Sequence, residues 1–162
     1  MNNKNINIKE TFKLAIQNHK NNNFIEASNL YENILIHDPN HFDTNFYFGT
    51  LNLQKKNYVK ACELFKKAAE INPNIVEVHN NLGLIYYNLK EIDKAKTCFN
   101  KSIEINSNHV QAYLNLGNVY KNLGEIEKAE KLYLDAININ PNYFDAYNNL
   151  IILYERLNKH ED

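Results

Sequence analysis

The sequence predicts an all-α fold built from repeated antiparallel helix pairs, because three kinds of residue return every 34 positions along the chain. The alanines at this spacing are Ala27, Ala61, Ala95 and Ala129. Each is followed four positions later by an aromatic residue: Tyr31, Phe65, Phe99 and Tyr133. Prolines keep the same step at Pro39, Pro73 and Pro141, with Ser107 in the remaining place. Chance does not hold this many positions in one register over four periods.

Each recurring residue type has a packing reason that assigns it to a helix. Small residues let two helices approach to the lower end of the usual separation of about 8–10 Å. Glycines such as Gly83 and Gly117 do this in the first helix of a pair, and the alanines do it in the second. The aromatic residue lies one helical turn after the alanine and fills the space towards the neighbouring helix. The proline cannot continue the ladder of helical hydrogen bonds, so it marks the end of the second helix.

These signals divide the chain into nine predicted helices. In order they cover residues 8–20, 24–37, 42–54, 58–71, 76–88, 92–105, 110–122, 126–139 and 144–157. An asparagine follows each proline position: Asn40, Asn74, Asn108 and Asn142. Three residues further on stands an acid or a glutamine: Asp43, Glu77, Gln111 and Asp145. This spacing predicts a capping box at the start of each following helix.

Composition and charge exclude several classes of function. A formal net charge of -1 at pH 7 over 162 residues gives no clustered basic charge for nucleic acid. No stretch approaches ~18 uncharged apolar residues, so no membrane span is expected. The first residues lead into no apolar segment of the kind found in signal peptides, and Cys62 and Cys98 form no paired motif. A cytoplasmic location is therefore expected.

The sequence contains no constellation that predicts catalysis. It has no phosphate-binding glycine loop and no nucleophile motif, and its recurring acids are already assigned to helix caps. His37 and His41 are four residues apart, but Pro39 between them prevents a shared helical face. A zinc site needs three or four converging ligands. We therefore expect a protein that is not an enzyme and that carries no metal or cofactor.

The recurring residues resemble the signature of the tetratricopeptide-repeat (TPR) family. The fourth copy carries the fullest match: Tyr113, Leu116, Gly117, Tyr120, Ala129, Tyr133, Ala136 and Pro141. The resemblance implies a right-handed superhelical α-solenoid of antiparallel helix pairs, with four repeats and one C-terminal helix. The implied divisions are a flexible N-terminus at 1–7, repeats at 8–41, 42–75, 76–109 and 110–143, a C-terminal helix at 144–157 and a tail at 158–162. That last helix is either a cap or half of a fifth repeat.

The resemblance also implies where a ligand binds, because TPR proteins usually hold peptides or proteins in the concave groove lined by their first helices. Asparagine returns there at one register, in Asn81, Asn115 and Asn149. This row is similar to the asparagine ladder of O-linked N-acetylglucosamine transferases, whose repeats these most resemble. The expected concave-face site comprises Asn81, Asn115, Asn149, Asn118, Tyr47, Asn80, Asn148 and Phe46. The alternative is that the asparagines bond only to the neighbouring repeat or reflect an asparagine-rich composition.

Three functions remain open at this point. The first is a non-catalytic module that binds a protein or an extended peptide. The second is the targeting arm of a larger or partner enzyme, such as a glycosyltransferase. The third is a self-associating scaffold, because Ile151, Ile152 and Leu153 make the last helix more apolar than a solvent-facing cap should be. The same apolar helix is expected if the chain is cut from a longer protein.

Overall fold

The computed structural model of the chain describes residues 6–158, with side chains as far as Glu155. Residues 1–5 of the predicted flexible N-terminus and residues 159–162 of the predicted tail lie outside the described residues. Within residues 6–158 the regular secondary structure is all α-helical, and no strand is present. The predicted all-α class is confirmed.

The helices begin and end within one residue of the predicted positions. They are α1 (Ile8–Lys20), α2 (Phe24–His37), α3 (Phe42–Gln54), α4 (Tyr58–Ile71), α5 (Val76–Asn88), α6 (Ile92–Ile105), α7 (Val110–Leu123), α8 (Ile126–Ile139) and α9 (Phe144–Asn158). Only α7 and α9 differ from the prediction, each by one extra residue at its C-terminal end. The 34-residue period fixes the boundaries because the residues that end the helices also repeat. Each second helix is followed by the proline position, and each first helix ends within two residues of a residue with positive φ: Asn22, Lys56, Lys90 or Gly124.

The helices form two compact units, α1–α4 as far as Asn74 and α5–α9 from Ile75 onwards. In unit 1, α1 packs against α2 and α3 packs against α4, while α2 also contacts α3. The core of this unit is built from the recurring residues and their neighbours: Ala15, Ala27, Tyr31, Phe48, Leu51 and Leu64. Burying these side chains provides the main driving force for pairing the helices.

In unit 2, α5 packs against α6 and α7 packs against α8, and α7 also contacts both α5 and α9. Its C-terminal core contains Leu114, Ala129, Tyr133, Ala136, Ala146 and Leu153. The first helices α5, α7 and α9 are therefore neighbours, and their exposed sides can form one surface. This arrangement positions the predicted site residues of unit 2.

The glycines of the first helices lie directly beneath the aromatic rings of the second helices. A Cβ atom built on Gly83 would lie 2.5 Å from Cε1 of Phe99, and one built on Gly117 would lie 2.5 Å from Cε1 of Tyr133. Carbon atoms in contact are separated by about 3.5–4.0 Å. Glycine at these positions is therefore required by close helix packing, as the sequence predicts.

The predicted capping boxes are wrong for the helices whose caps the structure describes. The N-cap of α3 is His41, whose Nδ1 accepts the Thr44 N–H at 3.2 Å, and α5 and α7 begin after Ile75 and His109 without a side-chain cap. The predicted asparagines stand one residue too early. Their backbone N–H groups instead donate to the side-chain oxygens of Asp38, Asn72, Asn106 and Asn140.

These contacts form an Asx turn at the end of every second helix, in which a side-chain oxygen accepts a backbone N–H two residues on. The donor–acceptor distances lie between 2.9 and 3.3 Å. The turn also explains why α6 ends at Ile105, two residues before Ser107, just as α4 ends two residues before Pro73. The Asx residue is present in all four repeats, so the helix ends even where proline is missing.

Candidate functional site

The predicted site residues divide between the two units. Phe46 and Tyr47 lie on α3 of unit 1, and the six asparagines lie on α5, α7 and α9 of unit 2. The ladder residues Asn81, Asn115 and Asn149 occupy corresponding positions on three neighbouring helices. Their surroundings nevertheless differ.

Asn115 is bonded within the protein through both ends of its amide. Its Nδ2 donates to Oδ1 of Asn80 on α5 at 3.0 Å, and its Oδ1 accepts from Nε2 of Gln111 at 3.1 Å. The side chain is buried, with 8% of its surface exposed, and Asn80 is similarly buried. Asn115 therefore connects α7 to α5 by a buried side-chain hydrogen bond.

The same chain of hydrogen bonds continues towards the start of α9. The Tyr143 hydroxyl donates to Oε1 of Gln111. Burial raises the pKa of this hydroxyl and the carboxylate of Asp145 raises it further, which favours the protonated form that donates the hydrogen bond. Between Tyr143 and Asn80, the amides of Gln111 and Asn115 each accept at the oxygen and donate from the nitrogen. Such aligned bonds reinforce one another in a partly buried network.

Replacing Asn115 by alanine is expected to lower the free energy of unfolding by about 1 kcal/mol, because Asn80 loses its donor in a buried position. The measurement is urea unfolding followed by circular dichroism. Asn100→Ala on the exposed surface of α6 is the matched control and should change stability by less than about 0.5 kcal/mol. An Asn115→Ala protein as stable as the control would show that the network does not stabilise unit 2.

The other predicted site asparagines of unit 2 are more accessible to solvent than Asn80 and Asn115. Oδ1 of Asn149 accepts from Nζ of Lys121 at 3.1 Å, and Oδ1 of Asn118 accepts from the Tyr133 hydroxyl at 2.8 Å. Asn81 is half-buried, and no atom in the described part of unit 2 forms a hydrogen bond with its side-chain amide. Asn148 is exposed. These four side chains leave amide groups available on one side of unit 2.

Three of the polar contacts between successive first helices share one spacing. In unit 1, Nε2 of His19 on α1 lies 3.0 Å from Oε1 of Gln54 on α3. In unit 2, the amide of Asn122 on α7 donates to the hydroxyl of Tyr87 on α5. Both pairs, like Asn80 and Asn115, are separated by 35 residues, one repeat plus one position. The register therefore determines which side chains meet across a repeat boundary.

This spacing explains why the ladder is not uniform. The residue 35 positions before Asn149 is Leu114, which has no group to bond an amide. Asn149 is consequently bonded to Lys121 and keeps partial exposure. The sequence did not predict Gln111, Lys121 and Tyr143 as hydrogen-bond partners of the site asparagines. Only Gln111 could have been identified, since it stands four residues before Asn115 on the same helix.

The site residues of unit 1 have a different chemistry. Tyr47 is partly exposed, and its ring packs edge-on against Phe12 and Phe46 at centroid distances of 5.8 and 5.3 Å. Beside it, an open cavity of about 300 Å³ is lined by Ile16, His19, Lys20, Asn22, Tyr47, Thr50 and Gln54. This surface offers apolar and basic groups, whereas the unit 2 surface offers mainly amides.

Two observations bear on metal ions and membranes. Among the residues that the structure describes, no group of three or more His, Cys, Asp or Glu side chains could hold a metal ion. Over the same range, every helix is too short or too polar to cross a membrane.

The chain matches models of one family along most of its repeats. The model described as "Tetratricopeptide repeat" matches residues 76–109 and 110–143, and the model described as "TPR repeat" matches residues 49–90. Together they cover residues 49–143, more than half of the 162 residues. Comparison with curated protein sequences gives no significant match.

Solved structures with this fold include several TPR proteins. A crystal structure of MamA protein is 26% identical, with a TM-score of 0.84 over 91% of this chain and 81% of MamA. YrrB, described as a TPR protein with an unusual peptide-binding site, is 20% identical, with a TM-score of 0.76 over 91% of this chain and 76% of YrrB. The first TPR of Spaghetti (RPAP3), bound to the HSP90 peptide SRMEEVD, is 23% identical, with a TM-score of 0.67 over 72% of this chain and 92% of that one. The last two likenesses show the fold alone.

The family models, the helix pairs and these structural likenesses agree on a helical TPR solenoid. The chain belongs to the tetratricopeptide-repeat family.

Proposed function

We propose that this chain is a non-catalytic interaction module that binds an extended peptide or protein segment along the surface formed by the first helices α5, α7 and α9 of unit 2. The observation that carries the proposal is the row of accessible amides on α5, α7 and α9, at Asn81, Asn118, Asn148 and Asn149. Support comes also from two proteins of the same fold, since YrrB has a peptide-binding site and the RPAP3 repeat is bound to a peptide.

A row of amides suits the backbone of an extended segment. A carboxamide both donates and accepts hydrogen bonds, so it pairs with a peptide group whatever the side chain. Neighbouring helices lie about 8–10 Å apart, and an extended chain rises about 3.3 Å per residue. The segment would therefore meet one asparagine at about every third residue, and each contact would contribute a net of about 0.5–1.5 kcal/mol.

The asparagines of the ladder take different parts in this proposal. Asn81 and Asn149 contact the ligand, with Asn118 and Asn148 beside them. Because the amide of Asn115 is bonded at both ends, its part is to hold α7 beside α5 at the spacing that the ladder needs. Phe46 and Tyr47 provide an apolar anchor site on unit 1, next to the cavity lined by Ile16. Exposed tyrosines are common anchors at interfaces.

Two finer hypotheses remain alongside this one. The likeness of the asparagine row to that of O-linked N-acetylglucosamine transferases keeps the enzyme-targeting role open, with this chain holding the substrate and a catalytic part elsewhere. Self-association is favoured by the exposed apolar residues of α9, which include Ile151 and Ile152.

The test is selection from a random-peptide display library on the wild type and on the Asn81→Ala/Asn149→Ala variant. We expect selected peptides to bind the variant about 5–150-fold more weakly, at about 2–12-fold for each lost contact. Asn100→Ala, which removes an exposed asparagine from the second helix α6, should bind them like the wild type.

Circular dichroism must first show that the variants are folded. Equal binding by the wild type and the double variant would remove the ladder as the binding site. If a library of adequate size yielded no peptide that binds the wild type, that result would contradict the interaction role itself.

A further inference from the structure

One side of α9 presents a continuous stripe of exposed apolar residues: Phe144, Tyr147, Ile151 and Tyr154. Phe144 is 75% exposed and Ile151 is 55% exposed. Steps of three, four and three residues place all four side chains on one side of a helix. We call this set the α9 stripe. The ladder residue Asn149 lies on another side of the helix, since it is two positions from both Tyr147 and Ile151.

The α9 stripe occupies the positions that a second helix covers in the preceding repeat. Ile151 corresponds to Gly117, which lies beneath the ring of Tyr133 on α8. Tyr154 corresponds to Tyr120, whose ring lies beneath the Lys128 ammonium of α8, 5.2 Å from the ring centroid. The stripe is therefore a packing surface whose usual occupant is a helix.

The side chain of Ile151 is sterically incompatible with a second helix packed as α8 packs on α7. At Gly117 a single added carbon would lie 2.5 Å from the aromatic ring of α8, and the same distance holds between Gly83 and Phe99. Isoleucine adds four carbons at this register. A second helix of the kind seen in α6 and α8, with its aromatic ring, cannot approach α9 at the same distance.

The spacing of the α9 stripe is symmetric, which favours a second copy of the same helix. In an antiparallel pair of α9 helices, Phe144 of one copy meets Tyr154 of the other, and Tyr147 meets Ile151. Within α9, Asp145 is the sole charged residue between Phe144 and Tyr154, and it lies away from the stripe. Two carboxylates lie at the C-terminal end of the stripe: Glu155, four positions after Ile151, and Glu130 of α8, which accepts the hydrogen bond of the Tyr154 hydroxyl. An isologous contact needs a self-complementary surface of this kind.

We propose that the α9 stripe pairs antiparallel with the same stripe of a second copy, forming a closed twofold dimer. This inference goes beyond ligand binding: the stripe lies on a different side of α9 from Asn149, although its edge borders Asn148, four positions after Phe144. A Phe or Tyr side chain offers about 150–250 Å², so the partly exposed stripe offers about 400 Å² per copy. This is about half of the ~800 Å² per partner in a standard interface. The dimer is consequently weak and depends on protein concentration.

Sedimentation velocity over a concentration series from about 1 μM to 1 mM tests the dimer. These concentrations correspond to standard binding free energies of about -8 to -4 kcal/mol. We expect the wild-type mass to rise from monomer to dimer and to stop there. Ile151→Glu should remain monomeric, because the pair would bury a charge against Tyr147. Ile36→Glu, at an equally apolar residue of α2 that is 77% exposed, should dimerise like the wild type.

A mixing experiment tests the antiparallel register. Tyr147→Lys and Ile151→Glu should each be monomeric alone, whereas an equal mixture should form dimers, since the introduced lysine of one copy faces the introduced glutamate of the other only in the antiparallel pair. A monomeric wild type, masses beyond dimer, loss of dimer in Ile36→Glu, or a mixture that stays monomeric would each overturn the proposal. Peptide binding by the wild type at about 1 μM, where the chain is monomeric, tests the ligand-binding role separately.

Discussion

Replacing Phe99 by alanine is expected to lower the free energy of unfolding of unit 2 by about 3–5 kcal/mol. The ring is fully buried and lies against the backbone of Gly83, so its removal leaves a cavity between α5 and α6. Neighbouring side chains cannot fill this cavity easily, since the two helices are already in close contact. The measurement is equilibrium unfolding in urea, followed by circular dichroism.

Leu134→Ala is the control for this prediction. Leu134 lies on α8 of the same unit but is 43% exposed, so its truncation should cost much less than that of the fully buried ring, at about 1 kcal/mol. Because the chain contains two units, the unfolding curve must be tested for two transitions before a single free energy is assigned. A loss below about 1 kcal/mol for Phe99→Ala would show that the ring is not the element that holds α5 and α6 together.

The helix boundaries could be predicted because each depends on residues close in sequence that repeat at a fixed step. Ala95 and Phe99 identify the second helix of a repeat, and Gly83 identifies the first. The two helices are matched to each other, because the ring of Phe99 covers Gly83. Periodicity thus carries both the local structure and the pairing of helices in this family.

The helix caps could not be predicted in the same way, because two local structures compete for the same short segment. In the segment from Asn72 to Asn74, either asparagine side chain can accept a backbone N–H. The Asx turn of Asn72 forms, and α5 then begins after Ile75, one residue later than a cap by Asn74 requires. A shift of one residue decides the outcome, and residue type alone does not encode that shift.

The positions of the candidate site residues could be predicted from the repeat register, but their hydrogen-bond partners could not. Asn81, Asn115 and Asn149 hold the same position in successive repeats, yet Asn115 meets Asn80 while Asn149 follows Leu114 at the same 35-residue spacing. The composition of the preceding repeat therefore decides whether an amide is used inside the protein or left towards solvent. This dependence reaches across repeat boundaries, where a one-repeat pattern gives no information.

Gly83→Ala is expected to lower the free energy of unfolding by about 2 kcal/mol or more, as measured by urea unfolding. Alanine favours a helix interior over glycine by about 0.5–1 kcal/mol, so the backbone preference acts in the opposite direction. The new Cβ would lie 2.5 Å from Cε1 and 2.6 Å from Cδ1 of the buried Phe99 ring. Overpacking of this kind costs about 1–3 kcal/mol or more, and here the upper end applies because the ring has no free space.

Gly49→Ala is the matched comparison, because the corresponding Cβ would lie 3.0 Å from the nearest atom of Phe65. A small ring movement relieves that contact, so the helix preference should bring the net change close to zero. Phe99→Leu should cost less in the Gly83→Ala protein than in the wild type, with a coupling of about 0.5–3 kcal/mol. If Gly83→Ala were as stable as Gly49→Ala, the ring could move aside. Ile151 on α9 would then no longer exclude a second helix, and the case for a second copy on the α9 stripe would lose its main support.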